Sequence, residues 1–420
     1  MRRVIETLVG FAVLTGVVVG ITTLTPAELP RATTVEAIRS TKVVCVPAAA
    51  GATVMVDNTT TVTPLGGATT QTNRAVLTGQ ETSVVAEGTD GPTGSTIVGN
   101  DGVRTLTQCV KPVSRGVIAL PATADTQLKI VNPDASEAAI DLTLYGAEGE
   151  IQSLGARGIT LAAYEERAIA LSVLTKKATP VGVSFQASRG RAAVMAITQT
   201  QSSGTAAGPS QLGTSHLLPG IPAGATSSVI VLANPSETRI TANLTAYGTT
   251  PAYHPQGGEN ISIPSHASVS VSLENALLGE ASAIQVNSDA PVMAGMAFTL
   301  GDSAQVAPVS AGTSLGAFTP PGGTLQLTNP GEGDVQATVT ATGADGAEER
   351  TTVTVGAGQT VVHKVPTATE QGQRIVVNSD QPLFGAVVSS GDTGSWAAPL
   401  ESMTKGENPP LAAELDPGLH

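Results

Sequence analysis

Few side chains in this 420-residue chain have the types and spacing for chemistry. Two cysteines, Cys45 and Cys109, can form one disulfide in an oxidising compartment, and two thiols are too few for a four-thiolate zinc site. The five histidines are His216, His254, His266, His363 and His420, with no His-x-His and no His-Glu-x-x-His among them. His254 and His266 flank Glu259, a sparse set for a metal ion; an exposed loop pair is the plainer reading. Gly312-Thr313-Ser314-Leu315-Gly316 fits the Gly-x-Ser-x-Gly pattern of a serine nucleophile. That chemistry needs a strand-to-helix turn on a parallel sheet, and here the motif opens a β-rich repeat. Glu165-Glu166 and Glu348-Glu349 are the only adjacent carboxylates suited to acid–base work on a polysaccharide. Neighbours in a strand point to opposite faces, so neither pair can cooperate. There is no phosphate loop, dinucleotide fingerprint or Asp-x-Asp-x-Asp-Gly calcium loop. The expectation is no catalytic residue, no cofactor-binding residue, no metal ligand, no cofactor and no enzyme activity.

Binding chemistry is equally thin. Aromatic residues make up 2% of the chain, with one tryptophan and four tyrosines, so stacking platforms for sugars are scarce. Tyr145 and Tyr247 each precede a glycine at equivalent places, which assigns them to the fold. Trp396 is expected near the end of the last domain as a capping contact. Net charge is −13 and no basic run exceeds Lys176-Lys177, which argues against nucleic acid as a partner. Asn58, Asn243 and Asn260 open Asn-x-Ser/Thr sequons that carry little weight in a bacterial-looking chain.

The elements that hold these residues are short strands. Charged residues are only 13%, and Val, Thr, Ala, Gly and Ser dominate, a composition of β-branched runs broken by turns. One pattern recurs three times. Residues 229–248 read VIVLANPSETRITANLTAYG, residues 128–146 read LKIVNPDASEAAIDLTLYG, and residues 325–343 read LQLTNPGEGDVQATVTATG. Each is a strand, an Asn-Pro turn, a second strand and a glycine. Proline forces the preceding residue to be extended and cannot extend a ladder, while asparagine closes turns on the backbone. Leading strands begin 99 residues apart, at residues 114, 213 and 312, a whole-domain period. Ile240, Ala242, Leu244 and Ala246 alternate with Thr241, Asn243 and Thr245, which predicts a sheet with one buried face.

The reading is all-β: tandem immunoglobulin-like β-sandwich domains after an N-terminal hydrophobic helix. Residues 113–211, 212–311 and 312–401 are the three repeats. Residues 43–112 form a separate β unit closed by Cys45 and Cys109, residues 30–42 a stalk, and residues 402–420 a disordered tail. In the middle repeat strands are expected near 215–218, 228–233, 240–247, 260–263, 268–273, 282–287 and 292–299, with a helical turn at 274–280. Residues 1–29 carry Arg2 and Arg3 before an uncharged run at 8–24, a signal anchor or signal peptide. Both place the remainder outside the cytoplasm, single-pass and membrane-held in the first case, secreted in the second.

Leu325-Gln326-Leu327-Thr328-Asn329-Pro330-Gly331, Thr342-Gly343-Ala344-Asp345-Gly346 and Tyr145-Gly146-Ala147-Glu148-Gly149 carry a family resemblance. The chain resembles an uncharacterised family of actinobacterial envelope proteins that combine an N-terminal hydrophobic segment with repeated β-units. The resemblance covers most of residues 110–401 and implies no activity and no site residues. The expected role is a non-enzymatic structural or interaction protein of the cell envelope, held in the membrane through residues 8–24, with an unknown envelope protein or glycan as partner. An accessory or degenerate polysaccharide enzyme, or a released adhesin, is the alternative.

Overall fold

Alternation in the repeated strands is obeyed side chain by side chain. Ile240, Ala242, Leu244 and Ala246 are all fully buried, as are Val339 and Ala341, and Ala138, Ile140, Leu142 and Leu144 are at most 1% exposed. The computed structural model describes residues 41–403, apart from 90, 100–104, 122–123, 176–179, 200–203, 321, 344, 366–371 and 390–393. The predicted membrane segment at 8–24, the stalk up to residue 40 and the tail from 404 lie outside the described residues. Every described strand belongs to the compact unit Ser40–His420.

The third domain shows the plan. Its strands are β1 (Gly213–Ile221), β2 (Ser227–Ala233), β3 (Ile240–Tyr247), β4 (Ile261–Ile263), β5 (Ser268–Ser272), β6 (Ser282–Leu300) and β7 (Asp302–Val306). One antiparallel sheet runs β4-β3-β6-β1 and the other β5-β2-β6-β7. Leu218 and Leu244 from the first sheet and Ile230, Met296 and Val306 from the second share one core, so the unit is a two-sheet sandwich. The first strand lies beside the sixth, whereas an immunoglobulin constant domain pairs its first strand with its second.

β6 corrects the expectation of two strands at 282–287 and 292–299. It is one strand serving both sheets, pairing with β3 up to Ser288 and with β2 from Met293. Pro291 stands where the ladder changes partner, so its missing N–H costs no bond there. β7 lies beyond the last strand expected in this repeat, 292–299. The helical turn expected at 274–280 is a pair of turns instead, while the equivalent stretch of the second domain does form one helical turn, Leu171–Leu174.

The same topology occurs four times. Residues 41–110 reproduce it with Thr41–Cys45, Ala52–Asp57, Thr61–Pro64, Arg74–Gln80, Val84–Gly88, Thr93–Val98 and Thr105–Gln108 paired in the same order. The unit set apart in the sequence is therefore a fourth copy of the repeat. Cys45 and Cys109, 64 residues apart in sequence, are disulfide-bonded and tie its first strand to the residue after its last.

The Asn-Pro turns have a uniform geometry. Asn132, Asn234 and Asn329 are at most 1% exposed. Each side-chain amide donates to the carbonyl four residues on, at 2.7 Å, and each Oδ1 accepts the N–H two residues on. Each also reaches the strand before the next turn: Leu161 and Ala162, Ile263 and Pro264, and Val355. One side chain thus closes its own turn and staples the two sheets.

The four domains close into a ring, a propeller-like arrangement in which the β1-containing sheet of each domain packs on the β2-containing sheet of the next. Val44 and Val85 of the first pack on Val131 and Met195 of the second. Val117, Ala119 and Tyr145 of the second pack on Val231, Ala233 and Met293 of the third. Tyr247 and Ala283 of the third pack on Phe384 of the fourth. The fourth then meets the first: Arg74 donates to the Gly343 carbonyl at 2.5 Å and lies 5.6 Å from the centre of the Phe318 ring, and Arg374 pairs with Asp57 at 3.4 Å.

Candidate functional site

The residues singled out for chemistry are dispersed. His254 Nδ1 lies 2.9 Å from the Leu244 carbonyl, while His266 contacts Glu237 at 3.0 Å and stacks on Tyr145 across the interface between the second and third domains. Ser314 lies within the antiparallel strand Gly312–Thr319, not at a strand-to-helix turn. Glu165 accepts the Ala162 N–H at 2.6 Å, whereas Glu166 pairs with Lys129 at 3.2 Å and accepts the Ser83 N–H of the first domain. Glu348 pairs with its neighbour Arg350 at 2.7 Å. Trp396 is 4% exposed and packed in the core of the fourth domain. Tyr145 and Tyr247 occupy interdomain seams, and Tyr247 donates to Gln285 at 2.6 Å. Among the described residues no three His, Cys, Asp or Glu side chains converge as metal ligands.

Charged groups at the seams are structural. Asp134 is held between Arg191, at 2.8 Å, and Lys42 of the first domain, also at 2.8 Å. Arg191, and after it Lys42, draws the Asp134 carboxyl down to about 2 against the opposing effect of burial. His216 is 6% exposed, with Nε2 at 3.0 and 2.9 Å from the Gly213 and Val292 carbonyls. Burial pushes its pKa down despite those contacts.

Where all four domains meet there is a cavity of about 320 Å³. Sequence reasoning gave no hint of it, because its walls are the last strands of the domains and the residues after them. These read TLTQ, GTAA, DSAQV and WAAP. Register makes the lining positions equivalent. Leu106, Ala206, Gln305 and Ala397 form one tier, and Gln108, Gly208, Ala307 and Pro399 the next. The chain then crosses to pair with its own first strand: Val110 with Val44, Ser210 with Val117, Val309 with Leu217, and Glu401 with Gly316.

Two charges enter this lining, Lys111 and Glu401. Glu401 is exposed to solvent where it lines the cavity, and Lys111 is exposed as well. Desolvation by the surrounding protein raises the Glu401 carboxyl pKa, and the nearby Lys111 ammonium partly offsets the effect. No hydrogen bond or ion pair of either side chain occurs among the described residues. Gln305, 9% exposed in the cavity wall, donates its amide to Thr198 at 3.2 Å and leaves its Oε1 without a partner among the described residues.

Comparison with known proteins adds a family and little else. No curated protein matches the chain. A solved structure described as "Crystal structure of tetra-tandem repeat in extending region of large adhesion protein" is 14% identical, over 85% of this chain and 93% of that one. Its TM-score of 0.10 carries no structural argument. The family described as "Family of unknown function (DUF5719)" matches residues 78–366, from within the first domain to the fourth, and the chain belongs to that family.

Proposed function

We propose that the chain is a non-enzymatic, extracytoplasmic structural or interaction protein of an actinobacterial cell envelope, held in the membrane through residues 8–24. The observation that carries this reading is the Cys45–Cys109 bond, which joins the two ends of the first domain and belongs in an oxidising compartment. The dispersal of the candidate carboxylates and histidines supports a role without catalysis. Among the described residues no helix is long and apolar enough to cross a membrane, and the anchor reading rests on the uncharged run at 8–24 after Arg2 and Arg3. The partner is an envelope protein or glycan, and the net charge of −13 disfavours nucleic acid.

Fractionation of intact cells tests this. The protein should sediment with membranes and be cut by protease added from outside. Recovery from the soluble cytoplasm with free thiols would overturn the reading. The mass of the mature N-terminus separates an anchored protein, which keeps residues 8–24, from a released one.

A further inference from the structure

We propose that the cavity on the ring axis binds a small zwitterion of amino-acid or short-peptide size, its ammonium group at Glu401 and its carboxylate at Lys111. The inference stands apart from the compartment assigned above.

The four copies supply an internal control. Where Glu401 stands, the other domains carry Val110, Ser210 and Val309; where Lys111 stands, they carry Gln211, Ser310 and Ser402. Three copies fold without a charge at each position, so the sandwich has no need of one. Both departures nevertheless face one cavity. Elsewhere the partly buried charges at the seams are matched, as Asp134 is by Arg191 and Lys42 and Glu166 is by Lys129. Glu401 and Lys111 are both exposed to solvent and neither has a hydrogen bond or ion pair among the described residues, so a carboxylate and an ammonium in one cavity are open to a ligand carrying the complementary charges. Leu106 and Met195 supply apolar wall for a short side chain. The volume of about 320 Å³ lies in the small-molecule range, and a single carboxylate is too sparse for a metal ion.

The test is calorimetric titration of the full chain with the dipeptide Ala-Ala, its N-acetyl form and its C-terminal amide. Ala-Ala should bind saturably, and blocking either end should weaken it by about tenfold or more. Glu401→Gln should abolish the preference over the N-acetyl form, and Lys111→Met the preference over the amide. Replacing an exposed charge that makes no ion pair should not lower the melting temperature, so thermal scans of both variants confirm that they fold. No binding by any of the three would overturn the proposal. So would equal binding of Ala-Ala and its amide, which marks a site for cations alone, or unchanged preferences in folded variants.

Discussion

Asn234→Ala removes the side chain that closes the turn and staples the sheets of the third domain. Asn234 is fully buried. Its amide donates to the carbonyls of Thr238, Ile263 and Pro264 at 2.7, 3.2 and 3.1 Å, and its Oδ1 accepts from Ser236 N and Oγ at 2.8 and 2.7 Å. The contacts to Thr238, Pro264 and Ser236 are only part-buried, so water can replace some of them, whereas the Ile263 contact is buried. At about 1 kcal/mol net for each bond, with a larger penalty where the stranded group stays dry, the loss is about 2–4 kcal/mol. Thermal unfolding followed by calorimetry reads this and also sizes the cooperative unit. A domain of about 100 residues melting alone should lose roughly 10–20 °C, whereas a ring melting as one unit should lose roughly 3–5 °C. Asn132→Ala and Asn329→Ala should behave alike. A loss below about 0.5 kcal/mol, the scale of an ordinary surface change, would refute the stapling role.

Two seams and the disulfide of the first domain carry three further predictions. The carboxyl of Asp134 is lowered from 3.8 to about 2, so its contribution is complete above pH 3.8 and disappears as pH falls through about 2. That contribution is at most about 2 kcal/mol, and Asp134→Asn should flatten acid unfolding in this window, with an unchanged acid limb contradicting the assignment. Reducing Cys45–Cys109, which are 64 residues apart, should destabilise the first domain by about 4 kcal/mol in denaturant titrations, and an unchanged midpoint would contradict it. A Cβ at Gly295 would overlap the Ala119 carbonyl of the preceding domain, so Gly295→Val should cost about 1–3 kcal/mol and raise hydrogen exchange along Arg115–Leu120; protection equal to wild type would show that this seam is loose.

Much of the fold was legible where one physical constraint acts on one residue type. Period-two burial wrote itself into Ile240, Ala242, Leu244 and Ala246 and their counterparts, and the buried Asn turn kept its Asn-Pro in three copies. The fourth copy escaped because it meets the constraint differently. Thr59 holds the turn through Oγ1 to the Thr72 carbonyl at 2.6 Å, and Asn58 enters ahead of it with φ of 57°, so neither the Asn-Pro pair nor its spacing survives. Pro291 looked like a break between strands, yet a proline is tolerated where a strand trades one ladder for another. Ring closure left little trace because Arg74 binds backbone carbonyls, which any sequence provides. The axial cavity was hidden for a related reason. Its strands share a position but no composition, and Lys111 and Glu401, far apart in sequence, line one cavity only once the first and fourth domains come together.

The closed ring is what makes that cavity, and one crosslink tests it most directly. The Arg74 guanidinium contacts the carbonyls of Thr342 and Gly343, at 3.5 and 2.5 Å, so the two backbones lie within one side chain's reach. The full chain carrying Arg74→Cys and Thr342→Cys, with its native disulfide intact, would be treated with a short bismaleimide and digested. The ring predicts an intramolecular crosslink between positions 74 and 342 that persists at high dilution. Four domains strung out in a line would hold these positions two domains apart, and a digest with no such crosslink, or with crosslinks only between molecules, would contradict the account.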